Sequence, residues 1–173
     1  MTSALRTERL VLRPIAADDA EAMQVMNADP EVMRYIGAGV PLTPAETEAR
    51  TAKAAAHWDA YGWGVFAAVE VDTGTLVGWA ALATPTFLPE ILPVTELGWR
   101  MRRDRWGRGY APEAARAAAG FAFGELGLDR VVSCIHAENA ASIRVAAKLG
   151  MSLERETLIP GFEVPCKVFE LKA

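Results

Sequence analysis

The feature that most constrains the fold is a loop rich in arginine and glycine, placed between an apolar strand pattern and an alanine-rich helix pattern. The strand pattern is VTELGWRM, the loop contains Gly107 and Gly109, and the helix pattern has Pro112 in its first turn and runs to about Leu126. Glycine leaves the backbone bare, and proline suits the first turn of a helix. Because the first N–H groups of a helix lack partners within it, this arrangement predicts an anion-binding site.

Positive charge is concentrated in this loop, although the whole chain has a formal net charge of −4. Residues 102–108 contain four arginines and one aspartate, a local charge of +3. Hydrogen bonds to a charged group contribute about 1.5 to 3 kcal/mol each, so backbone donors would hold a phosphate more firmly than the helix dipole. The loop is not a Walker loop, which needs the pattern GxxxxGK[ST]. It is not a dinucleotide fingerprint either, because Ala111 and Pro112 follow where GxGxxG needs its third glycine. The alternative is a solvated loop that merely starts a helix.

The remaining patterns mix β-hairpins with strand–helix–strand crossovers, which indicates an α/β domain around a mixed sheet. Strands are predicted at RLVLRPI, WGVFAAVEV, TLVGWAALA, RVVSCIH and near MSLERETL and VPCKVFEL, and helices at DDAEAMQVMN, DPEVMRYIG, TPAETEARTAKAAAHWDAYG and NAASIRVAAKLG. The chain has 173 residues, of which 51% are hydrophobic, enough for a proper core. We therefore expect a single domain over residues 1–173.

Composition argues against several classes of protein. No apolar run approaches the roughly 18 residues of a membrane span, and the N-terminus carries charges where a signal peptide would be apolar, so a cytoplasmic protein without a membrane partner is expected. The isoelectric point near 5.3 argues against nucleic acid as a general partner. Cys134 and Cys166 are isolated and no histidine stands at metal-ligand spacing, which favours buried reduced thiols and no metal site.

Several segments in order resemble the GNAT superfamily of acetyl-CoA-dependent N-acetyltransferases, and within it the RimJ/RimL-type branch. They are TERLVLRPI, DPEVMRYIG, TGTLVG, the loop WGRGYAPEA, ELGLDRV and ENAASIRVAAKLGM, and they extend over nearly the whole chain. Trp106 stands where the superfamily's pyrophosphate loop has Gln or Arg, as is usual in this branch. The resemblance implies one GNAT-type domain of the α/β (α+β) class. Its mixed, mostly antiparallel sheet would have about seven strands, splayed between strands 4 and 5, and about four flanking helices.

The same resemblance implies an acetyl-CoA site in the gap between the fourth strand, ELGWRM, and the fifth, RVVSCIH. The pantetheine would pair with the fourth strand as an added strand does, and the pyrophosphate would rest on the loop. No metal is implied, because the amine attacks the thioester directly while a backbone N–H stabilises the oxyanion. The residues expected to contact acetyl-CoA are Trp99, Met101, Arg103, Arg108, Gly109, Tyr110, Ala111, Asn139 and Ser142.

The reacting amine must lose a proton, which costs about 1 kcal/mol for an α-amine and about 4 kcal/mol for a lysine-like amine at neutral pH. Glu96 is the first candidate for the general base, because many superfamily members place a carboxylate on the fourth strand. The alternative for Glu96 is a solvated strand carboxylate. His136 and three further carboxylates are lesser candidates that the sequence does not rank: Glu154, Glu156 and Glu163.

On the leaving-group side, many superfamily members use a tyrosine seven residues after an asparagine, but here Asn139 leads to Ala146. This branch has a serine three residues after the asparagine, and Ser142 matches it as the second catalytic candidate. The alternative is a helix start, with Asn139 as the N-cap, and the two roles are compatible. Four aromatic residues are candidates for an acceptor pocket or for the core: Trp58, Tyr61, Trp63 and Trp99.

Three functions remain open on the sequence. The leading one is an N-acetyltransferase that acts on a primary amine, either a protein N-terminus or a small molecule. The alternatives are a non-catalytic acyl-CoA-binding sensor and a phosphate-binding module unrelated to CoA. The loops expected to choose the acceptor, residues 36–44 and 84–93, carry no recognisable pattern, and either a monomer or a homodimer is compatible with the sequence.

Overall fold

A computed structural model describes residues 4–173, so the first three residues of the predicted 1–173 domain lie outside it. The described chain forms one eight-stranded sheet and five α-helices. The strands are β1 (Leu5–Arg6), β2 (Leu10–Pro14), β3 (Val65–Glu70), β4 (Leu76–Ala83), β5 (Glu96–Met101), β6 (Arg130–His136), β7 (Ser152–Ile159) and β8 (Val164–Lys172). The helices are α1 (Ala20–Asn27), α2 (Pro30–Met33), α3 (Pro44–Tyr61), α4 (Tyr110–Gly124) and α5 (Ala140–Leu149).

The sheet is mixed and mostly antiparallel, which confirms the expected fold class. Its strand order is β1-β2-β3-β4-β5-β6-β8-β7, and only β5 and β6 run parallel among the described strands. The additional strand relative to the expected seven is β1. The five helices are the ones that the sequence patterns predicted, one more than the family resemblance implied, and α2 at DPEVMRYIG is a single turn. Two residues are too few to show an alternating pattern, so the sequence did not reveal β1.

Local sequence explains where the helices begin and end. Thr43 and Glu46 form a capping box at the start of α3, in which Thr43 Oγ1 accepts from the Glu46 N–H at 3.3 Å and the Thr43 N–H donates to Glu46 Oε2 at 2.8 Å. Helix α5 ends at Leu149, and the next residue, Gly150, caps it in a left-handed conformation with a φ of 81°. None of the helices within residues 4–173 is long and apolar enough to span a membrane.

Helix α4 lies close against the sheet because most of the side chains that it buries are alanines. Ala114, Ala115 and Ala118 are completely buried and belong to the same core as Leu97 and Met101 of β5. Small side chains allow the helix axis to approach the strands closely. The packing fixes the start of α4, and therefore the arginine and glycine loop, at the end of β5.

Strands β5 and β6 separate soon after they meet. Their one ladder pair is Glu96 with Val132, and the Val132 N–H also donates to the Thr95 carbonyl at 3.0 Å. The other hydrogen bonds between them run from Ser133 Oγ to the Leu97 carbonyl, at 2.6 Å, and from the Cys134 N–H to Glu96 Oε1, at 3.4 Å. Beyond this point a gap opens between the two strands. The predicted splay is therefore confirmed, with the expected fourth and fifth strands numbered β5 and β6 here.

Candidate active site

The edge of β5 that faces the gap carries the main-chain groups of Trp99 and Met101. On one edge the Arg102 N–H donates to β4 at 2.8 Å, and on the other the Leu97 carbonyl accepts from β6. Successive residues of a strand present their N–H and C=O groups to alternate edges. Trp99 and Met101 therefore point their main chain into the gap, where an extended ligand can pair with them.

The loop at the wide end of the gap exposes its backbone. Gly107 and Gly109 have φ angles of 73° and 82°, a conformation that side chains disfavour, and α4 starts directly after them at Tyr110. The Trp106 indole Nε1 donates to the Met101 carbonyl at 2.9 Å and ties the loop to the end of β5. The first N–H groups of α4 follow these two glycines directly, in the arrangement that binds anions.

The four arginines of this loop differ in how far their charge is neutralised. Arg102 and Arg105 both pair with Asp104, at 3.0 and 2.8 Å. Arg103 is 60% exposed and its nearest carboxylate is 4.0 Å away, while the exposed Arg108 makes no ion pair among residues 4–173. The two arginines that keep an accessible charge are thus the two that the sequence assigned to phosphate.

A buried carboxylate, Glu70 at the end of β3, holds the loop from beneath. It accepts hydrogen bonds from Tyr110 Oη at 2.6 Å and from Thr73 Oγ1 at 2.7 Å, and it pairs with Arg105 at 3.3 Å. These bonds, the one from Tyr110 foremost, lower the pKa of Glu70 to about 2. The Tyr110 side chain is therefore turned into the protein, which leaves only the main chain of Tyr110 available to a ligand.

A second carboxylate, Glu113 of α4, steadies the same loop from the other side. Arg9 Nη2 and Nε donate to Glu113 at 2.6 and 2.8 Å, and Arg9 Nη1 donates to the Arg108 carbonyl at 2.8 Å. Burial works to raise the pKa of Glu113, but the bonds from Thr7 and Arg9 hold it below its ordinary value. Both ends of the anion-binding loop are thus fixed before any ligand arrives.

Glu96 lies at the narrow end of the gap, on the residue pair where β5 and β6 meet. Burial raises the pKa of its carboxyl to about 7, and the Cys134 N–H, 3.4 Å from Oε1, opposes this only in part. A carboxyl with such a pKa is about half ionised at neutral pH. It is therefore able to accept a proton and to release it again under physiological conditions.

The other candidate bases are placed less favourably. His136 Nδ1 already accepts the Glu138 N–H at 3.1 Å, and its ring lies 4.8 Å from the Tyr35 ring. Glu154 and Glu156 lie on β7, an edge strand that β8 separates from β6, and Glu163 lies in the turn between β7 and β8. Of the named carboxylates, Glu96 alone stands at the gap.

Asn139 caps helix α5 through its side chain. Its Oδ1 accepts the main-chain N–H of Ser142 at 3.1 Å, so the cap does not use the Ser142 hydroxyl. Ala146, in the place of the superfamily's tyrosine, is completely buried. The structure therefore separates two roles that the sequence left combined, because Asn139 starts the helix and the Ser142 hydroxyl lies outside the cap.

The aromatic candidates for an acceptor pocket do not gather at the gap. Trp58 is a core residue whose Nε1 donates to the Val65 carbonyl at 2.5 Å, Tyr61 is 66% exposed, and Trp63 packs against a histidine of α3. All three lie where α3 meets β3, two strands from β5. Trp99 packs towards α5 instead and contributes its main chain to the gap.

Cys134 lies close to Glu96, and its thiol is unsuited to attack. A hydrogen bond with Cys166, together with burial, raises the pKa of the Cys134 thiol far above its ordinary value. The nucleophilic form of cysteine is the thiolate, which this environment suppresses at Cys134. A covalent intermediate on Cys134 is therefore disfavoured.

Comparison with known proteins identifies the family of the chain. Residues 9–152 match the acetyltransferase (GNAT) domain. The chain belongs to the GNAT acetyltransferases. This GNAT protein is 34% identical over 166 residues to the FsC-acetyl coenzyme A-N(2)-transacetylase of Aspergillus fumigatus, which covers 93% of the chain and 69% of the relative.

Solved structures share the fold of this GNAT protein over its whole length. An acetyltransferase of Agrobacterium tumefaciens superimposes with a TM-score of 0.82 at 31% identity, over 100% of this chain and 96% of that one. The ribosomal-protein-S5-alanine acetyltransferase of Vibrio fischeri has a TM-score of 0.76 at 18% identity, over 99% and 97% of the two chains, a likeness of fold alone. The GNAT resemblance is confirmed, with a ribosomal-protein acetyltransferase among the structural neighbours.

Sequence reasoning missed the residues that support the loop of this GNAT protein from behind. Glu70 and Arg9 are 35 and 99 residues from their loop partners Arg105 and Arg108, so no local pattern connects them. One signal was present, because Glu70 ends a strongly apolar strand, where a charged residue requires a partner if it is buried. That signal identifies the need for a partner but does not say which residue supplies it.

Proposed function

We propose that this GNAT protein transfers the acetyl group of acetyl-CoA to a primary amine, by direct attack within a ternary complex. The acceptor is the α-amine of a protein N-terminus or the amine of a small molecule. The observation that carries the proposal is the gap that opens beyond the single Glu96–Val132 pair. It has a titratable carboxyl at its narrow end and a bare, cationic loop at its wide end. The acetyl coenzyme A in the name of the Aspergillus relative supports the choice of donor.

The binding of the donor follows from the exposed groups around the gap. The pyrophosphate is held by the N–H groups of residues 108–111, with Arg103 and Arg108 supplying positive charge. The pantetheine amides pair with the main chain of Trp99 and Met101. Asn139, by fixing the start of α5, sets the position of the Ser142 hydroxyl near the departing sulfur.

The proposed reaction forms a C–N bond and breaks a C–S bond. The neutral amine attacks the thioester carbon, and a main-chain N–H of β5 near Trp99 stabilises the oxyanion that develops. Glu96 accepts the proton that the amine nitrogen loses, which is efficient because its pKa lies close to neutral pH. The C–S bond then breaks, the Ser142 hydroxyl donates a hydrogen bond to the sulfur, and the proton passes to the CoA thiolate.

The decisive experiment measures thiol release from acetyl-CoA with a panel of acceptors. The panel contains N-terminal peptides, polyamines, aminoglycosides and amino acids. Release that depends on both acetyl-CoA and an amine supports the acetyltransferase. Tight acetyl-CoA binding without release for any acceptor would support the acyl-CoA sensor instead, and equal binding of acetyl-CoA and ADP would support a phosphate-binding module.

A further inference from the structure

The guanidinium of Arg100 on β5 is largely buried and has no carboxylate partner among residues 4–173. Its Nη1 donates to Asn27 Oδ1 of α1 at 2.9 Å and lies 3.5 Å from Met33 Sδ of α2, and its Cζ is 5.0 Å from the centroid of the Trp79 ring. Its Nε is buried without any hydrogen-bond partner, and no ion pair within residues 4–173 includes Arg100. The edge formed by Nε and Nη2 is thus unused.

A buried cation of this kind is costly unless an anion accompanies it. Burial, with a smaller contribution from the like charge of Arg50, lowers the pKa of Arg100 to about 10, so the group is still charged at neutral pH. A charge removed from water requires a partner of opposite sign or a dense set of hydrogen bonds. Arg100 has only one oxygen acceptor, from the neutral side chain of Asn27. A ligand with an anionic group would supply the missing partner of the guanidinium.

Arg100 lies on the same face of β5 as Glu96. Side chains of alternate residues share a face, so Glu96, Gly98 and Arg100 lie in a row, with about 13 Å between the Cα atoms of the outer two. Gly98 has no side chain, and a Cβ at its position would lie 3.4 Å from the Trp79 ring. No side chain of β5 therefore lies between the carboxyl and the guanidinium, and the apolar ring of Trp79 packs beside Gly98.

We propose that Arg100 binds a carboxylate of the acceptor, which makes the substrate an amine that carries a carboxylate at some distance from the reacting nitrogen. This inference rests on the proposed function, because it assumes that the amine approaches Glu96. The unused edge of the guanidinium matches the two oxygens of a carboxylate in a bidentate bond. The separation of Glu96 and Arg100 favours a short peptide or a lysine side chain over an α-amino acid, in which one carbon separates the two groups.

The test compares acceptors that differ only in the carboxylate. The pairs are a tripeptide as free acid and as C-terminal amide, and Nα-acetyllysine and its amide. The wild-type protein is expected to use the free acids with a kcat/KM roughly ten- to hundredfold higher. Arg100→Gln, which keeps an N–H for Asn27 but removes the charge, is expected to abolish this preference, so that kcat/KM for each free acid falls to about that of its amide. Lys53→Gln removes a positive charge from an exposed position on α3 and is expected to retain the preference.

The outcomes distinguish this inference from the proposed function beneath it. If acids and amides serve equally well, the role of Arg100 is wrong while the acetyltransferase stands, whereas thiol release from no acceptor would reject the acetyltransferase itself. Acetyl-CoA affinity and the denaturation midpoint establish that Arg100→Gln is folded. Should it not fold, Arg100→Lys retains the charge without the bidentate fork, and an undiminished acid preference in that variant would also overturn the assignment. A phosphate-bearing amine, O-phosphoethanolamine, serves as a further arm, and its preference over the carboxylates would reject a carboxylate site.

Discussion

Replacing Glu96 with glutamine should make the protein less active and, in alkaline solution, more stable. The carboxyl has a pKa of about 7 in the folded chain against an ordinary value of 4.5. Because the folded pKa is the higher one, proton binding favours the folded state below pH 4.5, and this contribution is lost as the pH rises through about 7. Glutamine does not titrate, so the variant avoids the cost of ionising a buried group.

The size of the effect follows from the two pKa values. Linkage predicts an ionisation penalty of about 1.4 kcal/mol at pH 5.5 and about 3.4 kcal/mol at pH 8.5 in the wild type. Relative to the variant, the wild type therefore loses about 2 kcal/mol of unfolding free energy between these two pH values. Urea denaturation of both proteins at pH 5.5 and 8.5 measures this difference directly. The same substitution at the exposed Glu48 of α3 is the matched control and should produce no such divergence.

Activity measured on the same variant tests whether Glu96 is the general base. If Glu96 is the base, Glu96→Gln lowers kcat about 100-fold or more, leaves acetyl-CoA affinity almost unchanged, and removes the acidic limb of the pH profile near pH 7. An α-amine acceptor reduces the loss, because deprotonation of that amine costs little. If the unfolding free energies of the wild type and Glu96→Gln differ by the same amount at pH 5.5 and 8.5, the carboxyl of Glu96 does not have a raised pKa. Near wild-type turnover of the variant would make Glu96 an ordinary strand carboxylate.

Three further predictions concern the donor site and the leaving group. Arg108→Glu and Gly109→Val should each weaken acetyl-CoA binding at least tenfold, about 1.4 kcal/mol, and unchanged calorimetric affinity in both would reject the pyrophosphate loop. Glu70→Gln should raise the KM for acetyl-CoA while kcat at saturation stays close to wild type, because Glu70 positions the loop without touching the reacting atoms; an unchanged KM contradicts that role. Ser142→Ala should lower kcat roughly 10- to 150-fold with an unchanged denaturation midpoint, whereas Asn139→Ala should cost about 0.5 to 2 kcal/mol of stability. Unchanged kcat in Ser142→Ala would end its catalytic assignment.

The parts of the fold that were predictable depend on neighbours in the sequence. The capping box of Thr43 and Glu46, the glycine that ends α5 and the alanine face of α4 each involve residues within a few positions of one another. Their propensities and hydrogen bonds operate over one or two helical turns, which a linear pattern records. For the same reason the bare loop before α4 and its local charge were visible without a structure.

The parts that were not predictable depend on contacts between distant segments. The sequence shows that four arginines crowd residues 102–108, but the folded structure decides which of them keep an accessible charge, because Asp104 pairs with Arg102 and Arg105 and the distant Glu70 pairs with Arg105. The position of Glu70 under the loop and the clamp of Arg9 on Glu113 are likewise set only when β2, β3 and α4 pack together.

By itself, the sequence determined the family resemblance, the order of elements and the location of the anion-binding loop, because these reside in local patterns and in their succession along the chain. The tertiary structure decided the chemistry of individual groups, because a pKa depends on what surrounds a side chain in space. Glu96 is an unremarkable glutamate in the sequence, and burial beside β6 brings its pKa to about 7. Arg100 is one arginine among several in the sequence, and its burial against α1 and α2 without a carboxylate partner distinguishes it from the others.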